Sequence, residues 1–408
     1  MKIAYLTPEY PHEKTGHSAG LGSSIKNLVQ ALVRAGHEIT VFVYSQKNNE
    51  IFDDNGVTIH KIENKAYTFG KWYRYRKHLQ NYCNKVITEQ QIAIIEAPDW
   101  TGITAFMKFK IPLVIRFHGS DTYFCHLEQR KQKVKNYWFE KLAIRKAKAF
   151  IAPTSYAGTV SKRLFHIKNK EIKTIHYGLK LDNFEKVPAS QFEDGLILYL
   201  GTIIRKKGVL ELPEILKQVH GKYPKAHLVL IGGDAPDITT NALSTWKLLE
   251  QQFKHFSTAL EVTHTATMQS KAVEGSSVVK VPTTELNVTY LGKVPYEAVQ
   301  AYIKKAHVCV FPTYAETLGM VTIESMAMQK AVVNSNIGWA QELIIDGESG
   351  FLVHPANHQE YASKIVELLK NDELRATMGI YARNRVEQLF DIDKKVMENI
   401  EFYKTLID

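Results

Sequence analysis

The sequence is short of everything that marks a disulfide-stapled, membrane-spanning or disordered chain. Only three cysteines occur in 408 residues, Cys83, Cys125 and Cys309, an odd and scattered set with no C-x-x-C spacing. That argues against a disulfide framework or a zinc site and for a reducing cytosol, with each thiol a small buried hydrophobe. No apolar run approaches the roughly 18 residues of a membrane span. The opening Met1-Lys2-Ile3-Ala4-Tyr5-Leu6-Thr7 is too short and too soon interrupted for a signal-peptide core. No stretch is low in complexity, and no internal repeat is visible beyond an architectural doubling. A dinucleotide G-x-G-x-x-G is missing too. Gly20-Leu21-Gly22 begins one, but position 25 is isoleucine and the loop lies too far behind the preceding strand.

What is present is ordinary in bulk, with 45% hydrophobic and 23% charged residues. The length exceeds a single core, so two domains are expected. Lys and Arg number 52 against 42 Asp and Glu, a formal net charge of +10. This surplus favours nucleic acid, an anionic leaflet or phosphorylated substrates, without choosing among them.

Short β-branched runs alternate with amphipathic segments, the pattern of parallel α/β architecture. Strands are expected at 3–6, 38–44, 92–95, 113–117 and 149–151, then at 196–200, 227–231, 288–291, 307–311 and 331–334. A helix is expected at 22–35, its apolar face formed by Ile25, Leu28, Val29, Leu32 and Val33, with Gly36 as its stop. Two series of similar length predict two Rossmann-like halves rather than one eight-fold barrel. Residues 177–191 form the best linker. Residues 234–285 break the rhythm and read as an insertion, with one helix around 245–256.

The chemistry concentrates at residues 315–327, Ala-Glu-Thr-Leu-Gly-Met-Val-Thr-Ile-Glu-Ser-Met-Ala. A buried strand ends at Pro312-Thr313, and Gly319 permits a tight entry into a helix running to about Gln329. Amides near Gly319, Met320 and Val321 then face outward at the positive end of the helix dipole, a ready phosphate site. Glu316 lies on the loop ahead and Glu324 about one and a half turns inside. Over eight helical residues the two span roughly 12 Å, about the length of a sugar, a diphosphate and a ribose in line. The plainer alternative is a dipole-favoured Glu316 and a solvated Glu324.

This segment, from Phe311 to Ala327, resembles the E-x7-E signature of glycosyltransferase family 4. Ala331-Val332-Val333-Asn334, residues 338–342 and Asp346-Gly347-Glu348-Ser349-Gly350-Phe351-Leu352-Val353 continue the likeness in register. Gly201-Thr202-Ile203-Ile204-Arg205-Lys206-Lys207-Gly208 resembles the family's Gly-Arg…Lys-Gly loop. Lys207 matches the lysine expected at the donor diphosphate. Thr202 stands where the family has arginine, and Arg205 or Lys206 is left to replace it. Gly20 and Gly22 resemble the glycine loop that approaches the donor from the first domain. His118 matches a histidine beside the donor sugar, and Asp99, at an equivalent strand end, is read as facing the acceptor. Residues 175–184 resemble the inter-domain crossing, with Tyr177 in place of the usual Asn. Trp339 replaces a second glycine, and residues 390–406 resemble a C-terminal helix returning to the first domain.

The resemblance implies a GT-B fold, two Rossmann-like domains facing each other across a cleft. The expected boundaries are 1–184 plus 391–408 for the acceptor side and 185–390 for the donor side. The implied reaction is retaining transfer of a sugar from a nucleotide diphosphate sugar to an acceptor hydroxyl, in cell-surface glycan or glycolipid synthesis. Glu316 would hold the sugar, Lys207 and Arg205 the diphosphate, the amides of Gly319, Met320 and Val321 the donor's phosphates, Glu324 the ribose, and His118 the rest of the sugar site, with Gly201 and Leu318 also counted as donor-binding. No metal and no cofactor beyond the donor is implied. The alternatives are an epimerase or hydrolase of nucleotide sugars, and a non-enzymatic basic protein.

Gly16-His17-Ser18-Ala19-Gly20 spells a hydrolase elbow but lacks the strand that should immediately precede it. Asp391-Ile392-Asp393 spells a metal-binding D-x-D but is better explained as helix capping. Lys71-Trp72-Tyr73-Arg74-Tyr75-Arg76-Lys77-His78 mixes bases with aromatics, and residues 130–148 are basic again. A solvated helix face is the plain reading; the functional one is an anionic membrane surface or a lipid-phosphate acceptor, in preference to nucleic acid. The expected location is cytoplasmic, peripheral at the inner face of the membrane.

Overall fold

Ile3 and Tyr5 of the first strand are buried on one face, among Ile25, Val29, Leu32 and the C-terminal Ile400 and Tyr403. Ala4 and Leu6 are buried on the other, among Leu79, Cys83 and Val86. A strand covered on both faces is the mark of a parallel sheet between helical layers. The computed structural model describes residues 1–16, 18, 20–256, 279–281 and 287–407. It divides into unit 1, Met1–Lys180 with Phe390–Asp408, and unit 2, Leu181–Leu389.

Unit 1 contains β1 (Lys2–Thr7), β2 (Glu38–Gln46), β3 (Glu50–Asp54), β4 (Val57–Glu63), β5 (Ile94–Pro98), β6 (Leu113–Arg116), β7 (Ala149–Ala152) and β8 (Ile172–Thr174). Their order in the sheet is β3-β4-β2-β1-β5-β6-β7-β8. All neighbours are parallel except β3 and β4. That hairpin was not expected. It turns on Asn55-Gly56 with φ of 55° and 86°, the left-handed pair a two-residue hairpin needs. The helix Ile392–Ile407 belongs to this unit. Its Tyr403 hydroxyl donates to Glu96 Oε2 at 2.5 Å, and Asn399 Oδ1 accepts from Arg116 at 2.6 Å. Arg116 and Glu96 themselves form a buried ion pair at 2.7 Å.

Unit 2 contains β9 (Leu196–Leu200), β10 (His227–Ile231), β11 (Val279–Val281), β12 (Asn287–Tyr290), β13 (Val308–Phe311), β14 (Val332–Ser335) and β15 (Phe351–Val353). The order is β11-β12-β10-β9-β13-β14-β15, parallel except for β11. The short strands β8 and β15 and the edge strand β11 escaped the sequence pattern because three residues carry too little periodicity. The helix expected near 245 is present as Thr245–Phe256. The rest of the expected insertion lies outside the described residues, apart from its first part and β11.

The first helix runs Gly20–Arg34, two residues ahead of expectation. Gly22 N–H donates to Glu9 Oε1 at 3.3 Å, which gives an early amide an acceptor and lets the glycine loop itself form the first turn. All three cysteines are free and buried, as expected.

Candidate active site

Two loops leave the C-terminal ends of neighbouring strands β9 and β13, the edge at which open parallel sheets bind ligands. Residues 201–208 form one loop, beginning at Gly201, whose N–H donates to Ile231 C=O at 2.9 Å. Residues 312–319 form the other. Tyr314 and Ala315 N–H donate to Lys206 C=O at 2.9 and 3.2 Å, lacing the two together. Gly208, with φ 68°, lies so close to Pro312 that a Cβ there would stand 1.6 Å from the Pro312 carbonyl oxygen. No other residue fits.

The lacing brings Lys207 and Glu316 into contact, Nζ donating to Oε2. Glu316 Oε1 accepts Thr317 N–H at 2.9 Å. Both side chains stay 19% exposed, open to a ligand. Burial by itself raises the Glu316 carboxyl. The Lys207 charge and hydrogen bond, the Thr317 amide and Lys206 outweigh it and hold the group below its ordinary value. Glu316 is therefore an anion at neutral pH, and the site stores one cation and one anion side by side.

Beyond Leu318, which is buried, the chain turns through Gly319 at φ 95° into the helix Met320–Ala327. Trp339, also buried, packs beneath: a Cβ on Gly319 would stand 3.0 Å from its ring. Thr322 and Ile323 N–H return to Gly319 C=O at 3.1 and 3.4 Å. The amides of Gly319, Met320 and Val321 thus precede the helix's own ladder, at the positive end of its dipole. Glu324, in the fifth position of the helix, accepts from Tyr296 Oη at 3.0 Å. Burial pushes its carboxyl up to about 7, opposed only by that hydrogen bond.

Arg205 is bidentate to Asp237, with Nε and Nη2 each at 2.8 Å. Asp237 also accepts from Thr240 N–H and Oγ1 at 3.1 and 2.6 Å. The Arg205 bond is the largest influence holding the Asp237 carboxyl well below the usual range. Arg205 keeps 42% exposure, so its guanidinium is anchored on one edge and open on the rest.

In unit 1, Asp99 and His118 follow the ends of β5 and β6, which are themselves neighbours. Asp99 Oδ1 accepts His118 N–H at 2.9 Å. Its Oδ2 is buried without a hydrogen-bond partner. Burial pushes this carboxyl up to about 7, against the His118 and Ser120 amides and with Glu140 adding to the rise. The His118 ring lies parallel to Tyr177 at 5.5 Å between centroids, and its Nδ1 meets Tyr177 Oη at 2.7 Å. Burial, then the Arg116 charge, holds the imidazole down to about 3. It is neutral at physiological pH, with Nε2 as its remaining polar atom. Gly22 contacts Glu9, as above, and Gly20 faces open space.

The sites read from sequence therefore form two groups. Lys207, Arg205, Gly201, Glu316, Leu318, Gly319, Met320, Val321 and Glu324 belong to unit 2. Gly20, Gly22, Asp99 and His118 belong to unit 1. Sequence reasoning missed four partners: Tyr296 on Glu324, Asp237 on Arg205, Tyr177 on His118 and Glu9 on Gly22. Only Tyr177 carried a signal, as the residue that departs from the family's crossing. Ser18 of the apparent hydrolase elbow sits well beyond the end of β1 at Thr7, with His17 and Ala19 outside the described residues. Asp391 caps a helix by accepting Asp393 N–H at 3.1 Å. Among the described residues no three His, Cys, Asp or Glu gather closely enough to hold a metal ion, and no helix is long and apolar enough to cross a membrane.

The description "Glycosyltransferase Family 4" matches residues 18–183, and "Glycosyl transferases group 1" matches residues 283–385. An uncharacterised glycosyltransferase of Methanocaldococcus jannaschii is 22% identical over 413 residues, covering 100% of this chain and 99% of its own. The solved sucrose-phosphate synthase of Thermosynechococcus elongatus aligns with a TM-score of 0.77 at 20% identity, covering 100% of this chain and 99% of its own. Anabaena HepE, solved in complex with UDP and glucose, aligns with a TM-score of 0.70 at 18% identity over 100% of both chains. The fold is GT-B, with two parallel-sheet α/β domains. On its motifs, its two matched regions and its fold, the chain belongs to the family 4 glycosyltransferases.

Proposed function

We propose that the protein transfers a sugar from a nucleotide diphosphate donor to a hydroxyl of a saccharide or lipid-linked acceptor, with retained anomeric configuration, in cell-surface glycan or glycolipid synthesis. The observation that carries this reading is the laced pair of strand-end loops, which sets Lys207 against an ionised Glu316 just ahead of the first-turn amides at 319–321. In this reading the diphosphate takes the lysine. A departing nucleoside diphosphate gains negative charge, and a fixed cation with preorganised amides stabilises it without rearrangement. Glu316, released from Lys207, accepts hydrogen bonds from sugar hydroxyls. Glu324 holds the ribose, and the open edge of Arg205 faces phosphate. Neutral His118 offers Nε2 to the sugar, and Asp99 orients it through the backbone. These cations and amides do the electrostatic work, so the reaction is read as metal-independent and of hexosyltransferase type.

HepE, solved with UDP and glucose, supports a nucleotide-sugar donor. The test is to screen nucleotide sugars by ligand-observed binding, then incubate each binder alone and with acceptor candidates. Acceptor-dependent release of nucleotide, with retained configuration in the product, is expected. Conversion of the donor to a new sugar without acceptor would overturn the transferase reading in favour of an epimerase.

A further inference from the structure

We propose that unit 1 carries a docking surface for an anionic lipid bilayer. It lies where the start of the helix Lys71–Gln90, the turn Trp100–Gly102 and the start of the helix Val134–Lys146 meet. The inference does not rest on the reaction proposed above.

The three segments form one platform. Arg76 is buried and donates to Trp72, Thr101 and Gly102 carbonyls at 3.1 to 3.4 Å, while its guanidinium lies 4.4 Å over the Phe139 ring. Trp72 packs on Phe139 at 5.1 Å and on Phe106 at 5.5 Å. Lys77 closes the edge by donating to Phe106 C=O at 2.6 Å. The polar backbone of the turn is thus satisfied from within, and the outer side is left to apolar tips. Phe69 is 85% exposed, Val134 70% and Trp138 50%, with Trp72, Tyr73 and Trp100 each more than a third exposed.

The charge around these tips has one sign. Residues 64–88 contain six Lys or Arg and no Asp or Glu; residues 129–139 contain four and none. Lys71, Arg74, Lys131, Lys133 and Lys135 are all exposed. Apolar and indole tips on a fixed platform ringed by cations suit the interface of an anionic leaflet, where the rings enter the headgroup region and the cations meet lipid phosphates. A nucleic-acid groove would also use cations and rings, but the aliphatic Val134, 70% exposed at the centre of the basic stretch, has no stacking role there. Trp100 directly follows Asp99, so the surface begins beside the strand end read as the acceptor side. A lipid-linked acceptor is the class it would deliver, and that last step alone depends on the functional reading.

The full chain is floated with vesicles of phosphatidylcholine containing about 30% phosphatidylglycerol, and with vesicles of phosphatidylcholine alone, at ~50 and ~300 mM salt. Expected are binding to the anionic vesicles only, weakening at the higher salt, and a blue shift of tryptophan emission on binding. Lys71→Glu with Arg74→Glu and Lys133→Glu should weaken binding about a hundredfold or more. Phe69→Ser with Trp138→Ser should weaken binding and reduce the blue shift to the part contributed by Trp72 and Trp100. The control Lys222→Glu with Lys247→Glu, on exposed positions of unit 2, should bind as the parent. Equal binding to neutral vesicles, parent-like binding by the triple variant, or tighter binding to a single-stranded oligonucleotide than to anionic vesicles would each overturn the proposal. Should a variant fail to fold, quenching of the parent's tryptophans by brominated lipid decides it: no quenching on anionic vesicles also overturns it.

Discussion

Asp99 and Glu316 are carboxylates placed alike, each just past the C-terminal end of a strand in its own Rossmann-like unit, yet their protonation runs in opposite directions. Burial raises both. At Asp99 nothing but backbone amides opposes it, one oxygen has no partner, and the carboxyl rises to about 7. At Glu316 the same penalty meets Lys207, and the carboxyl stays below its ordinary value. Burial sets the size of the problem, and the presence of a facing cation sets its sign. Glu324 makes the third case: in the same unit as Glu316 but with only a phenol as partner, it sits at about 7 like Asp99.

The strongest way to break this comparison is to remove the cation. Lys207→Met should lower kcat about 10²–10³-fold, the usual loss for a preorganised electrostatic group. It should also leave Glu316 in the position of Asp99, so the acidic limb of the pH–rate profile moves up; an unmoved limb would show that Lys207 does not set the protonation of Glu316. Glu316→Gln should lose activity to a similar extent, with thermal stability retained.

Next in size is nucleotide affinity. Glu324 is uncharged below about 7, and a carboxylate accepts ribose hydroxyls more strongly than a carboxylic acid does. Nucleoside diphosphate binding, measured calorimetrically, should therefore strengthen as pH rises from ~6 to ~8, by up to about tenfold. Tyr296→Phe removes the one hydrogen bond that opposes the rise and should move the midpoint to higher pH.

A smaller effect is expected at Asp99. Its folded value, about 7, exceeds its ordinary 3.8, so the folded chain holds a proton that the unfolded chain releases. The contribution to stability is complete below the ordinary value and is lost as pH rises through the window to the folded one. Asp99→Asn should remove this component, flattening the fall in Tm between pH 5 and 8 by a few degrees. Tyr177→Phe deletes the His118 partner and should cost about 1 kcal/mol, with no histidine limb between pH 5 and 8, because the imidazole lies far below that range. The smallest expected effect is none: incubation with a chelator should leave transfer unchanged, since the proposed mechanism assigns the diphosphate's charge to Lys207 and the helix amides rather than to a metal.

Much of the fold and half of the site could be read from the chain because they are local. The order of Glu316, Gly319 and Glu324 lies within one loop and one helix, and the sequence spacing is the spatial one. The long parallel strands announced themselves by β-branched runs. The Asn55-Gly56 hairpin also had a local signal, but its edge strand β3 is short and polar, and β4, though buried, interleaves Thr58, His60 and Lys61 with its apolar residues and so lacks the β-branched run that marked the others. The unread parts are pairings. Lys207 meets Glu316 across 109 residues, and Arg205 meets Asp237 across 32. Tyr296 reaches Glu324 across 28, and Tyr177 reaches His118 across 59. Each depends on which elements neighbour which, information that no window of sequence holds, and the first three bear on the protonation of a carboxylate.

Gly208 has a consequence for how this enzyme can change. With the Pro312 oxygen occupying the space of any side chain, the 201–208 and 312–319 loops are pinned together where one ends and the other begins and cannot slide past each other there. If the proposed donor site is right, variation in donor choice should fall on residues bordering this seam, such as Asp237 on Arg205 and Tyr296 on Glu324 just beyond it. Libraries aimed at new nucleotide sugars should begin at those two positions and leave the seam alone.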